Sequence, residues 1–513
     1  MKVMNCIVLG LFLLLYFYPL SANNLKIENV RLTGQNTSEG YTMVEFDISW
    51  DNSWRDIVNW DAAWVFVKFY STEGTWEHAH LDTNEANHMI PVGAMVKTGV
   101  KDDHSLGVFI YRNSNGSGPN NWDNVQLRWD YGSQGVADNA MVTIKVFAIE
   151  MVYVPESIFY VGDEYSSFHL FRFGPKTSYR ISSQSSILVA QSIGKLWADG
   201  QISSGSTAAT FPTGYEAFYC MKYEITQEQY VDFLNSLTRT QQNTRTWTDI
   251  SGHSITNRYV MTHLIGVNFR NSIRCDALLP ESGPIVFYCD YDGDGIGNED
   301  NDGQNIVCNY LNWMDGCAYA DWAGLRPMTE LEFEKACRGD QAVLPGEYGN
   351  IYQIDYTLNN EGSFNEVIAS QPVSIGNAIF GNTYRSINGP LRAGIFALSS
   401  TSRQEAGASY YGIMELSGNL CEQTVTIGNN DGRNFQGNHG DGKLSTNGNA
   451  HDVNSWPGIY ANEVIGASGS GYRGGYFRGG FYLLRISDRA AAAGTSLQDR
   501  DSAYGFRCVR SEN

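Results

Sequence analysis

The chain has 513 residues and carries 55 acidic against 35 basic side chains, a formal net charge of −20. A surface of that sign repels nucleic-acid phosphates and anionic lipid, and attracts divalent cations or basic protein patches. Aromatic residues make up 13% and glycines number 53, a balance that suits a β- and loop-rich exported protein better than a helical one. The first segment, MKVMNCIVLGLFLLLYFYPLSANN, has one Lys, an apolar run and small residues near Ala22. It reads as a secretory signal peptide over 1–22, which places the mature chain at the cell surface or outside the cell. No later stretch is apolar enough to span a bilayer, so no membrane span is expected after cleavage.

Residues 23–150 read as strands joined by polar turns. MVEFDISW (43–50) alternates Val44, Phe46, Ile48 and Trp50 with polar residues, the period of a half-buried strand. AWVFVKFY (63–70), LGVFIYR (106–112), VQLRWDY (125–131) and MVTIKVFAIE (141–150) follow, with turns such as NSNGSGPNN between them. Short strands without helices predict an antiparallel β-sandwich. His78, His80 and His88 fall in HAHLDTNEANH and read as surface loop residues in preference to a metal site.

Beyond 150 the pattern changes. YCMKYEITQEQYVDFLNSL (219–237) enters a helix, with Thr226 and Gln229 as a capping box and Tyr230, Phe233, Leu234 and Leu237 as its apolar stripe. Residues 305–324 carry Tyr310, Leu311, Met314, Ala318 and Trp322 at helical spacing. A further helix begins at Thr329, capped by Thr329 and Glu332, and Gly339 can end it. Acidic residues such as Glu330 and Glu332 are accounted for by capping and solvation. From 425 to 475 the chain is rich in Gly and Asn, with little periodicity.

Without Cys6, eight cysteines remain: Cys220, Cys275, Cys289, Cys308, Cys317, Cys337, Cys421 and Cys508. An even number in an exported chain makes all eight disulfide candidates, with connectivity open. Irregular backbone on this scale calls for metals or cystines to fix it. In CDYDGDGIGNEDNDG, Asp290, Asp292 and Asp294 stand at positions 1, 3 and 5 of an EF-hand-type loop, with Gly295 at 6. Asn301 replaces the bidentate Glu at position 12, and Asp302 comes one later. The pattern is closer to DxDGDG repeats that wrap calcium without flanking helices. Asp290, Asp292, Asp294 and Asp302 are therefore candidate calcium ligands.

Six segments, MVYVPESIFYVGD, MKYEITQEQYVDFLN, WAGLRPMTELEFEKACRG, YGIMELSGNLCEQ, YRGGYFRGG and YGFRCVR, follow one another in a recognisable order. In that order they resemble the formylglycine-generating enzyme (sulfatase-modifying factor) superfamily. The resemblance implies a C-type-lectin-like domain over 151–513 with an insertion around 240–305 that holds the acidic loop. The expected fold is therefore α+β: an antiparallel β-sandwich (23–150), then a formylglycine-generating-enzyme-like domain with much irregular structure. Family enzymes carry two copper-binding, substrate-exchanging cysteines shortly after Arg-Gly-Gly, whereas RGGYFRGGFYLLRISDRAAAAG (473–494) contains none. Tyr476 replaces the family's serine, and Cys421 the tryptophan of its Gly-Asn-x-Trp-Glu motif. The helical bundle with iron-ligating histidines found in the superfamily's sulfoxide synthases has no counterpart either, so no catalytic residue is assigned. The family's structural calcium segment maps onto Glu415, Gly418, Leu420 and Glu422, two carboxylates and two main-chain carbonyls that suit a hard cation. The functional expectation is a calcium-stabilised, non-catalytic binding or structural protein. Its partner is a protein or a second copy at the cell surface, since the superfamily includes exported components of gliding and secretion machinery. The competing readings are a divergent oxidoreductase using the pocket near Tyr476, Arg478 and Arg485, and a glycan-binding protein.

Overall fold

The computed structural model describes residues 24–72, 74–164, 170–173, 177–346, 358–363, 366–369, 376–381, 387–398, 400–493 and 498–512. The expected signal peptide, 1–22, lies outside them. Eight strands build the N-terminal sandwich: β1 (Lys26–Asn36), β2 (Tyr41–Arg55), β3 (Asp61–Tyr70), β4 (Trp76–His78), β5 (Ala94–Lys101), β6 (His104–Arg112), β7 (Gly116–Trp129) and β8 (Thr143–Val154). One antiparallel sheet runs β1-β2-β7, and the second runs β5-β6-β3-β8 with β4 beside β3. Alternation decides which side chains meet between the sheets. Val44, Phe46, Ile48 and Trp50 of β2 pack with Ala63, Val65, Val67 and Phe69 of β3 and with Val125, Leu127 and Trp129 of β7.

The opposite face of β3 is not solvated. Trp64 and Phe66 belong to a second core that includes Phe147 and Ile149 of β8 and Tyr319 and Trp322 beyond the sandwich. That explains the nearly unbroken apolar run AWVFV, which suits a strand covered on both faces. The second sheet also continues past the sandwich. Asp61–Tyr70 pairs with the length of β8 up to Val152, and Met151–Val154 pairs onward with Phe218–Met221. Cys508–Ser511 and Arg326–Pro327 complete this sheet. Residue 150 therefore sits inside one strand whose two ends serve the two parts of the chain.

The expected strands are all present. NSNGSGPNN, expected as a turn, instead enters β7 at Gly116, which pairs with Arg55. Pro119 is accommodated because the β2–β7 register shifts between Trp50 and Ser53, where a missing N–H costs no ladder bond. The strand β1, absent from the sequence reading, is an edge strand with mostly exposed side chains and so has little alternation. The histidines are corrected too. His78 is fully buried on β4, facing Lys68 Nζ at 3.2 Å, and His88 is buried, so neither is a surface loop residue.

Among the described residues, four helices of seven residues or more serve the second part: α1 (Gln227–Leu234), α2 (Arg239–Arg245), α3 (Trp313–Trp322) and α4 (Glu330–Arg338). The predicted capping boxes of Thr226 with Gln229 and Thr329 with Glu332 are both formed, and Gly339 ends α4 at φ 70°. The helix expected over 305–324 begins only at Trp313, because Tyr310 takes a left-handed φ of 62°. No helix among the described residues is long and apolar enough to cross a membrane.

Buried polar contacts tie the two parts together. Lys222 Nζ lies 2.9 Å from Glu150 and 3.5 Å from Asp61, and all three side chains are 4% exposed or less. Asp61 also accepts from Trp50 Nε1, Ser53 Oγ and Trp54 N. Removing one partner of such a buried group leaves the others uncompensated. Lys222→Met is expected to cost about 3–5 kcal/mol of stability by urea denaturation. Lys68 differs, for its ammonium meets only neutral acceptors, Gly442 O at 2.9 Å and His78 Nδ1. Burial pulls its pKa down to about 7. Between pH 7 and 10.5 the unfolded chain then binds the extra proton, so this group's contribution to stability rises with pH. The stability advantage of Lys68→Met over wild type is expected to shrink by about 4 kcal/mol across that window.

Candidate functional site

The acidic loop leaves the short strand Tyr288–Cys289, which pairs with Ile273–Arg274. Asp290 is fully buried. Its Oδ1 accepts from Gly293 N at 2.8 Å, and its Oδ2 accepts from Gly295 N at 3.1 Å and from Arg274. Gly293 and Gly295 have φ values of 80° and 95°, which let the backbone curl around the carboxylates. Asp292 Oδ1 accepts from Asp294 N, and Asp294 Oδ1 from Ile296 N. Ligand oxygens of Asp290, Asp292 and Asp294 all lie within 4.8 Å of one another. Asn301 donates its amide to Asp292, so it acts as a brace and not as a ligand. Asp302 is fully buried, and its Oδ2 accepts from Glu299 N while Oδ1 has no partner. Desolvation, then the charges of Asp290 and Asp292, push its carboxyl up to about 6. Three clustered carboxylates offer oxygens of the kind a hard cation takes. The clustered oxygens of Asp290, Asp292 and Asp294 have the chemistry calcium takes, and Asp302 stands outside that cluster. Arg274, stacked between Tyr259 and Tyr288, offsets one of the charges.

The second candidate set lies elsewhere. Glu415, at φ 54°, accepts from Gly394 N through Oε1 and leaves Oε2 unpartnered. Gly418 is required as glycine, since a Cβ there would lie 2.4 Å from Ile379 O. Leu420 N donates to Glu224, a fully buried carboxylate that the sequence reading missed. Its only signal was an acid amid the apolar residues of MKYEIT. Glu422 Oε1 is taken by Arg507, which also donates to the carbonyls of Met221, Lys222 and Met414. Burial and mutual repulsion raise Glu224 well above the carboxylate range. Among the described residues, only the 290–294 loop brings three acidic ligand atoms within 4.8 Å. The structure thus gathers Glu415 and Glu422 around an arginine, with one free oxygen on each.

Arg473, the arginine of the Arg-Gly-Gly segment, is 1% exposed. It donates to Glu330 at 2.9 Å, to Glu334 at 2.6 Å and to Ile486 O at 2.6 Å. Arg489 grips both oxygens of Glu330 at 2.7 Å. Burial alone would raise Glu330, yet Arg489 and Arg473 hold it below its usual value. Glu330 is therefore not a solvated helix-start acid, as expected from sequence, but the centre of a buried ion network. Glu332 does cap its helix, and it also pairs with Arg326 at 2.6 Å. Arg478 donates to Ser502 and lies 4.3 Å above the Phe269 ring, while Phe481 and Tyr482 are exposed.

All eight cysteines, expected to pair, stand as buried free thiols. Cys275, Cys289, Cys308, Cys317 and Cys508 lie in one core and Cys220 and Cys337 in another, with Cys289 near enough to Cys308, and Cys508 to Cys317 and Cys220, for one thiol to affect the other. Each serves as a small apolar side chain. Burial raises every one of their pKa values, Cys220 and Cys275 to about 12 and Cys421 well above its ordinary value.

A family model described as the sulfatase-modifying factor enzyme 1-like domain matches residues 194–512. The chain belongs to this family. A formylglycine-generating enzyme of Thermomonospora curvata is 38% identical over 82 residues, 15% of this chain. That match spans 26% of the relative's own length. The sulfatase-modifying-factor-like region thus contains the ion network of Arg473 and the acidic loop, while β1 to β8 precede it. Two outcomes test this site. Arg473→Met should lower unfolding free energy by about 3–5 kcal/mol, because Glu330 and Glu334 lose a buried partner. A thiol-reactive chromophore should label none of the eight cysteines in the native protein within minutes, and all eight in denaturant. Fast native labelling would contradict the protected thiols described above.

Proposed function

We propose that this chain is an exported, calcium-stabilised binding or structural protein, acting at the cell surface or outside the cell, and that it is not a thiol-dependent enzyme. The observation that carries the reading is the state of its sulfur: eight buried thiols, each held protonated by desolvation. Formylglycine generation, the activity for which its relative is named, depends on thiolates that bind copper and exchange with substrate. The segment after Arg473 offers no cysteine, and Cys421 lies buried where the resemblance places a tryptophan. The arginine of that segment is committed to Glu330 and Glu334.

Calcium is the proposed structural ion, held in the loop by Asp290, Asp292 and Asp294. The loop is positioned to staple the insertion to its neighbours. Gly303 N bonds Gly362 O, Tyr291 bonds Glu361, and Asp302 O accepts from Ser272. A cation bound to the native state alone stabilises it by about 2.7 kcal/mol at a hundredfold excess over Kd. The test is metal analysis of the purified mature protein, then thermal melting with calcium and with a chelator. Chelation is expected to lower the Tm by several degrees, and Asp294→Asn to weaken calcium binding at least tenfold. A Tm indifferent to chelation would sink the structural role of calcium. Conversion of a cysteine-containing sulfatase peptide, followed by mass spectrometry, is expected to be absent, and turnover there would overturn the non-catalytic reading.

A further inference from the structure

A cleft of about 580 Å³ opens where the sandwich meets the family domain. Its walls come from the start of β1 (Asn24–Glu28), the middle of β8 (Val146–Ile149), the first turns of α1 and the end of the acidic insertion (Asp300–Asn305). Four carboxylates line it, Glu28, Glu228, Asp232 and Asp300, against one lysine, Lys26. None of the four carboxylates has an ion-pair partner among the described residues. Glu228 and Asp232 are exposed along the cleft.

Two further groups in the same cleft lack partners. Trp322 is 4% exposed and its indole N–H has no acceptor. Gln304 Oε1 is buried without a donor, although its amide nitrogen bonds Glu299 O. Trp322 also lines a neighbouring cleft of about 940 Å³, but Gln304, Glu228 and Asp232 line only this one. Buried polar groups left unpaired are uncommon in folded proteins and ask for a partner. Here the unmet needs are an acceptor for an N–H, a donor for a carbonyl oxygen, and a cation. The surrounding surface of Phe66, Phe147, Ile149 and Trp322 is apolar.

We propose that this cleft is a docking site for a basic peptide segment of a partner protein. A peptide unit supplies one donor and one acceptor, matching Gln304 and Trp322. A Lys or Arg side chain lays its aliphatic stem on apolar surface and carries its charge to the carboxylates. The volume falls in the range of ligand clefts, and the junction between two parts of a chain is a favoured place for one. The proposal rests on the reading of this chain as a binding protein and gives that reading a partner chemistry. It uses residues separate from the calcium loop's ligands.

The test is fluorescence anisotropy of the mature chain with a labelled Lys/Arg-rich peptide at physiological salt. An acidic peptide of equal length and free spermine serve as comparison probes. The basic peptide is expected to bind saturably, and Glu228→Gln with Asp232→Asn to weaken it at least tenfold at unchanged Tm. Trp322→Phe, which keeps the charge and removes the N–H, is expected to weaken it several-fold. Neutralising two exposed acids away from the cleft, Asp123→Asn with Glu281→Gln, should leave binding intact. Equal weakening by that control pair would reduce the effect to net charge and overturn the proposal. So would absence of binding, or spermine binding as tightly as the peptide, which would make the cleft an amine site. Should the peptide fail while calcium still raises the Tm, the docking site falls and the structural reading stands. Thiol-dependent turnover of the sulfatase peptide would overturn the underlying reading whatever this cleft binds.

Discussion

Buried guanidinium–carboxylate contacts are the constraint on which this structure depends. Arg473, Arg489, Glu330 and Glu334 form one network with no solvent exposure of their side chains. Arg326 with Glu332, Arg507 with Glu422, Arg270 with Glu366 and Arg274 with Asp290 repeat the arrangement at other places. Most of these guanidiniums reach carbonyls as well as carboxylates, as Arg507 does with Met221, Lys222 and Met414. A planar fork of five donors suits loops whose carbonyls have no sheet or helix to bond. Such pairs add little net stability over an apolar core, but breaking one is costly, so they select a single arrangement of irregular backbone.

The same logic gives the family motifs a structural role. Arg-Gly-Gly supplies Arg473 to the network and two glycines at φ 85° and 73°. A Cβ on Gly474 would lie 2.7 Å from Leu416 O, so the segment is shaped by packing first. Thiols in this setting are filler: in a dry core the neutral S–H is favoured over the thiolate. A family motif can therefore serve its fold directly, since fold and function are separate matters.

The sandwich is not an appendage on this framework. β3 is covered on both faces, and Trp64 sits so close to Gly99 that a Cβ there would lie 2.4 Å from the indole. The Trp64 N–H reaches Ala323 O at 2.9 Å, past the end of α3. With β8 shared between the two parts, strain or loss of packing in one is transmitted to the other.

How much of this was legible follows from the range of the forces involved. Strand alternation at 43–50, the capping boxes at Thr226 and Thr329, and the glycine stop at Gly339 are local, and the sequence displays them directly. The spacing of Asp290, Asp292 and Asp294 is local too, and the fold brings their oxygens within 4.8 Å as the spacing implied. Edge strand β1 and helix α2 went unseen because an exposed strand needs no alternation and a short polar helix has no stripe. Glu330, Glu224 and His78 were misjudged or missed because burial of a polar side chain is set by residues far along the chain, such as Arg473, Asn419 and Leu106. The sequence alone determined the strands and helix starts, the family framework and the acidic loop, all of which depend on near neighbours. Tertiary structure decided which charges are buried, that β8 joins both parts, and that an acidic cleft opens between them, because each depends on contacts spanning hundreds of residues.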